Sequence, residues 1–171
     1  MRFVGEIVGY LGIFLSILIY IQGKRKNLVF FKLVSDVVWC VHYTLLGAYS
    51  GAAIGFIAIF REFVFLNKGK KWADNKLWFI IFLVLSPTAS IITGKNIYCF
   101  LPAIAAFLSV FCFYQRKAKK SRYFAIPISL CMLTYDILVS STQGIINEIF
   151  TLSSIFIGFI VNDIVKKRKE K

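Results

Sequence analysis

Residues 41–52 read VHYTLLGAYSGA. They hold the only histidine in the chain, two tyrosines and a run of small residues, and a long apolar stretch lies on either side. Gly47, Gly51 and the neighbouring alanines fit a sharp helix–turn–helix. The composition of the flanks decides whether that hairpin belongs to a soluble domain or to a membrane.

The chain has 171 residues, of which 58% are hydrophobic, and its mean hydropathy is +0.74. Soluble domains are about 45–50% apolar. Several runs approach or exceed the roughly 17–25 residues that cross a bilayer. The expected fold is therefore an all-α membrane protein of seven transmembrane helices, near residues 3–22, 28–47, 50–66, 77–93, 97–115, 123–140 and 143–164. Ser86, Pro87 and Thr88 interrupt the fourth run, where a proline kinks a membrane helix without forbidding it.

Charge sets the topology. Four clusters, Lys24–Lys32, Lys68–Lys76, Arg116–Arg122 and Lys166–Lys171, hold all but three of the 21 basic residues, and they follow runs one, three, five and seven. The turns between carry a single basic residue, Lys95. Positive loops stay in the cytoplasm, so the N-terminus is expected outside and the C-terminus inside. The net charge of +13 is read as topology signal and as contact with anionic lipid headgroups. No aromatic–basic interleaving suggests nucleic acid. The first run is expected to remain as a span, because its positive flank follows the apolar stretch and no A-x-A site is present.

Cys40, Cys99, Cys112 and Cys131 all fall within spans and lack metal-ligand spacing. They read as small packing residues, and no metal or cofactor is expected. No phosphate-cradling glycine loop, nucleophile elbow or paired catalytic constellation is visible, so the chain is not read as an enzyme.

The chain resembles itself at an offset of 93 residues. FLS at 14–16 recurs at 107–109, Gln22 as Gln115, Lys24 as Lys117 and Lys26 as Lys119. The same register sets His42 against Tyr135, Tyr43 against Asp136 and Gly51 against Gly144. Spans one to three then correspond to spans five to seven. The division is 1–67 for a first three-helix bundle, 68–95 for a loop and linker helix, and 96–171 for a second bundle with a basic tail. An odd number of spans per repeat inverts the second copy, and the linker helix restores its orientation. Two parallel bundles result, with a solute site expected between them near mid-membrane.

VHYTLLGAYSGA, the AIFRE that follows, and the later LPAIAAFLS and GIINE resemble the YgjV family of bacterial inner-membrane proteins over nearly the whole chain. That family is similar in its 3+1+3 architecture to the SWEET/PQ-loop superfamily, which includes sugar facilitators and the PnuC vitamin-precursor transporters. The resemblance implies an inner-membrane location, this architecture and a transport role, without naming a substrate. The superfamily's hinge prolines are not matched. The first bundle has none, while the second has Pro102 and Pro127.

Ionisable side chains inside a membrane are expensive and need partners or water. At a rise of about 1.5 Å per residue, Lys32 and Glu62 fall at one shallow level on the basic side, with Asp36 and Arg61 somewhat deeper. An Asp36–Arg61 pair is allowed, and Lys32 and Asp36 form an i, i+4 pair. These four residues read as structural ion pairs bracing the first bundle, or as a gating or proton element. In the outer half, His42, Tyr43, Tyr135, Asp136, Asn147 and Glu148 lie at neighbouring levels, with Trp39 one turn below His42. One reading places the rings in the interfacial aromatic belt. The other makes these seven residues the lining of a substrate site, with rings for stacking, Asn147 and Glu148 for hydrogen bonds, and His42 to couple occupancy to protons.

Two functions follow. The first is a facilitator or transporter of a small polar solute, working by alternating access. The second is a non-transporting scaffold, assembly factor or sensor whose polar groups only fix helix packing.

Overall fold

The computed structural model describes residues 2–45, 49–93, 97–138, 140 and 142–165. Residues 46–48 and 94–96 and the basic stretch 166–171 lie outside the described residues, as does the side chain of Tyr43. Among the described residues there are seven α-helices: α1 (Arg2–Ile21), α2 (Arg25–Leu45), α3 (Tyr49–Leu66), α4 (Lys76–Thr93), α5 (Phe100–Tyr114), α6 (Ala118–Leu138) and α7 (Thr142–Gly158). A 3₁₀ turn, Ile97–Cys99, leads into α5, and α7 widens into a π-helical segment, Phe159–Val165. No strand occurs among the described residues.

Among the described residues, three helices are long and apolar enough to cross a membrane by length and composition alone, namely Lys76–Thr93, Ile97–Tyr114 and Gln143–Asn162. Pro87 lies inside α4 without ending it. Two helices begin earlier than their apolar runs suggest. α2 starts at Arg25 instead of residue 28, and α6 at Ala118 instead of residue 123. Lys and Arg are good helix formers, so the basic clusters form the first turns of these helices, where an apolar run sees only its own edge.

The helices form a closed ring in chain order. Each packs on its sequence neighbour, α7 closes against α1, and α3 also touches α5 beside α4. The outer wall carries large exposed apolar side chains such as Tyr10, Phe14, Phe56, Ile80, Val84, Ile92 and Phe156. The interior holds Ser16, Ser35, Asp36, His42, Arg61, Glu62, Ser109, Ser129, Asp136, Glu148 and Ser154, all buried. Apolar outside and polar inside inverts the soluble pattern, and an apolar perimeter of this extent belongs against lipid. A hydrophobic core of Tyr20, Leu28, Val29, Val64, Phe65, Val110, Cys112, Phe113 and Ala118 fills the end where α1, α3 and α5 finish and α2 and α6 start. This is the basic end of the molecule.

Candidate functional site: a polar interior and two carbonyl clamps

The inner charges come from α2 and α3. Lys32 and Asp36, one helical turn apart, form a salt bridge. Arg61 does not take Asp36 as its direct partner. Its Nε and Nη2 donate to Glu62 Oε1 at 3.1 and 2.8 Å, and its Nη1 donates to Ser109 Oγ on α5 at 2.6 Å. Adjacent helical residues point apart, so the guanidinium curls back to reach its neighbour. Lys32 already occupies one Asp36 oxygen. Phe113 of α5 lies under both cations, with its ring centre 5.8 Å from Lys32 Nζ and 5.7 Å from Arg61 Cζ. Such contacts hold cations where water is scarce. The network therefore joins α2 and α3 to α5, a link that depth counting along single helices does not reveal. Asp36 Oδ2 and Glu62 Oε2 are buried with no hydrogen-bond partner among the described residues.

The outer candidates separate into two groups. Trp39 and His42 pack edge to face, 5.2 Å between ring centres, against a glycine stripe on α1. The His42 Nδ1–H donates to the Gly5 carbonyl at 2.7 Å, which fixes the tautomer. A Cβ on Gly9 would sit 2.8 Å from His42 Cε1, and one on Gly12 would sit 2.9 Å from Trp39 Cε2. The second group lies between α6 and α7. Asn147 Nδ2 donates to Glu148 Oε1 at 3.3 Å, Ser129 also hydrogen-bonds Glu148, and the Asp136 carboxyl packs on Gly144. Tyr135 is half-buried. The Tyr43 side chain lies outside the described residues.

Tyr20 links the two levels. It is buried on α1, hydrogen-bonds Cys112, and has Glu148 and Asp36 as charged neighbours. Glu148 in turn has Asp136 and Lys32 as charged neighbours. Ser154 of α7 accepts from the Tyr20 backbone N–H at 3.2 Å. Polar side chains thus run from Asp136 through Glu148 and Tyr20 to Lys32, Asp36, Arg61 and Glu62. Among the described residues, no three His, Cys, Asp or Glu side chains assemble as a metal site.

At the basic end two arrays cap helix carbonyls. Arg122, on the second turn of α6, is almost fully buried. Its Nε donates to Tyr20 O at 2.8 Å and its Nη2 to Gln22 O at 2.5 Å. Asn162, on the π-helical segment, donates to Ile21 O at 2.6 Å. On the other side, Arg25 Nη2 donates to Phe113 O at 3.1 Å and to Phe65 O at 2.6 Å, and Arg25 Nε donates to Gln115 O at 2.7 Å. Lys68 Nζ donates to Tyr114 O at 3.0 Å. The last carbonyls of a helix have no partner within it and carry its negative dipole end, so buried cations suit them. Tyr20, Ile21 and Gln22 stand 93 residues before Phe113, Tyr114 and Gln115. The sequence marks Arg25 and Arg122 only as topology charges. The signal that could have singled them out is their place within the first two turns of helices that start among basic residues.

A family model of bacterial inner-membrane proteins, YgjV, matches residues 3–163. No curated protein and no solved structure matches the chain. The match spans all seven helices, and the apolar perimeter agrees with the location it gives. The chain belongs to the YgjV family of bacterial inner-membrane proteins.

Proposed function

We propose that this protein is a seven-span facilitator or transporter for a small polar solute, with its path between two halves of the helix ring. One observation carries the reading. Among the described residues, the interior holds four carboxyl groups, Asp36, Glu62, Asp136 and Glu148, against Lys32 and Arg61, while the buried Arg122 is committed to the Tyr20 and Gln22 carbonyls at the basic end. Ionisable side chains in a membrane interior mark solute or proton routes, and an excess of carboxyls suits a solute that carries positive charge or moves with a proton. No covalent chemistry is part of this reading.

The 3+1+3 architecture is part of the same proposal. In support, α1 packs on α2 and α7, much as α5 packs on α6 and touches α3, with α4 set beside that last contact. The carbonyls held by the two clamps fall at the same 93-residue offset as the sequence repeat, although the cations that hold them, Arg25 and Arg122, do not. The distribution of Lys and Arg supports an outer N-terminus and a cytoplasmic C-terminus.

The scaffold reading has one observation in its favour: Trp39 and His42 are seated on α1 glycines, where they serve packing. A thermal-stabilisation screen of the purified protein with amines, amino acids, sugars, nucleosides and vitamin precursors, followed by proteoliposome flux of any hit, separates the two. Glu148→Gln should fold and lose flux. Undiminished flux in that variant would sink the transport site as drawn.

A further inference from the structure

We propose that the basic depression between the α3–α4 loop and the start of α6 binds a phosphate group, carried by an anionic lipid headgroup or by a small soluble phosphate ester. The depression holds about 460 Å³ and is lined by Lys68, Tyr114, Gln115, Arg116, Lys117 and Lys120. It does not depend on the transport reading.

The comparison of the two clamps makes the case. The carbonyl of Ile21 is capped by a neutral amide, from Asn162. The carbonyl in the same place on the other half, Tyr114 O, is capped by the Lys68 ammonium. Capping alone therefore does not require a charge at this position. Arg116 and Lys120 face the depression as well, whereas the residues 93 positions before them, Gly23 and Asn27, are uncharged. At these two positions the added cations stand on the α6 side, whereas Lys117 has a charged counterpart in Lys24.

Lys68 is held firmly, with its Nζ 3.0 Å from the centre of the Tyr114 ring. Around it stand Arg25 from α2, Arg116 from the α5–α6 turn and, as an opposing charge, Asp74 from the α3–α4 loop. Burial, then Arg25 and Arg116, bring its pKa from 10.5 down to about 8. Cations crowded in this way are relieved by an anion among them. A phosphate offers several acceptor oxygens, which suit a guanidinium fork and lysine point charges together.

The test uses the full-length protein, purified in detergent and in nanodiscs. Calorimetric titration with inorganic phosphate and with glycerol 3-phosphate probes the soluble source. Native mass spectrometry from nanodiscs of phosphatidylglycerol or phosphatidylcholine probes the lipid source. Saturable binding of glycerol 3-phosphate, or selective retention of phosphatidylglycerol, supports the site and tells the sources apart. Binding should weaken at least about tenfold in Lys68→Gln/Lys120→Gln, where the new amide at 68 can still cap Tyr114. Arg116→Gln, at an exposed turn position, gives the same readout should the double variant misfold. Wild-type affinity should fall as pH rises through about 8, and Lys68→Arg should remove that fall. The proposal is overturned if neither arm shows saturable or selective binding, or if variants that unfold like the wild type bind equally well.

Discussion

Arg122 and Tyr20, 102 positions apart in the chain, meet at 2.8 Å, with the guanidinium Nε donating to the backbone carbonyl. The contact ties the start of α6 to the end of α1, and Gly158 of α7 lies against both partners. A side chain on that glycine would press on the Tyr20 carbonyl itself. Three helices are thus locked at one point of the basic end.

Arg122→Met should destabilise the protein by about 1–3 kcal/mol for the buried Tyr20 carbonyl left unpaired, and by less for the half-buried one of Gln22. Arg122→Lys should recover part of this, because an ammonium cannot reproduce the planar fork. Thermal unfolding in detergent measures both. A wild-type midpoint for Arg122→Met would show that the clamp contributes nothing.

Gly9→Leu should cost about 1–3 kcal/mol through overpacking, since even a Cβ there falls 2.8 Å from the His42 ring. The double variant Gly9→Leu/His42→Ala should regain stability, as the ring that clashes is gone. Failure of the second change to rescue the first would mean that α1 and α2 do not pack along this stripe.

The pH dependence of stability should carry the mark of Lys68. Its folded pKa, about 8, lies below its ordinary 10.5, so the unfolded chain binds more protons between those values. Stability should therefore rise with pH across that window, where the folded side chain has shed its proton and the unfolded one has not. Lys68→Gln should flatten this component in chemical unfolding curves recorded from pH 7.5 to 10. An unchanged slope would place Lys68 in open solvent.

A C-terminal green fluorescent protein fusion should fluoresce, and a C-terminal alkaline phosphatase fusion should be inactive, if the chain ends in the cytoplasm. The reverse pair would invert the topology.

Much of the fold is legible in the sequence because bilayer thickness and the placement of Lys and Arg are one-dimensional constraints. Run lengths give the seven helices seen among the described residues, although STQG, expected as a turn, largely belongs to α7, which starts at Thr142. The starts of α2 and α6 are not legible, since basic residues that end an apolar run still continue a helix. For the site, counting along each helix gives the level of Asp36, Arg61 and Glu62 but not which neighbour each chooses. Arg61 finds Ser109 on α5, and only the packing of the ring decides that. Arg122 is the least legible of all. Its partners are backbone carbonyls, which have no residue identity, a hundred positions away.

The most direct test of a solute path is water access to its wall. With Cys40, Cys99, Cys112 and Cys131, all unpaired thiols, replaced by alanine, single cysteines at Asn147 and Asp36 are exposed to a charged, membrane-impermeant thiosulfonate, with a lipid-facing cysteine at Phe14 as control. The expected result is labelling at 147 and at 36, slowed by a transported solute, and none at 14. Positions 147 and 36 that stay as unreactive as 14 from both sides of the membrane would contradict a path through the interior and leave the polar line as packing alone.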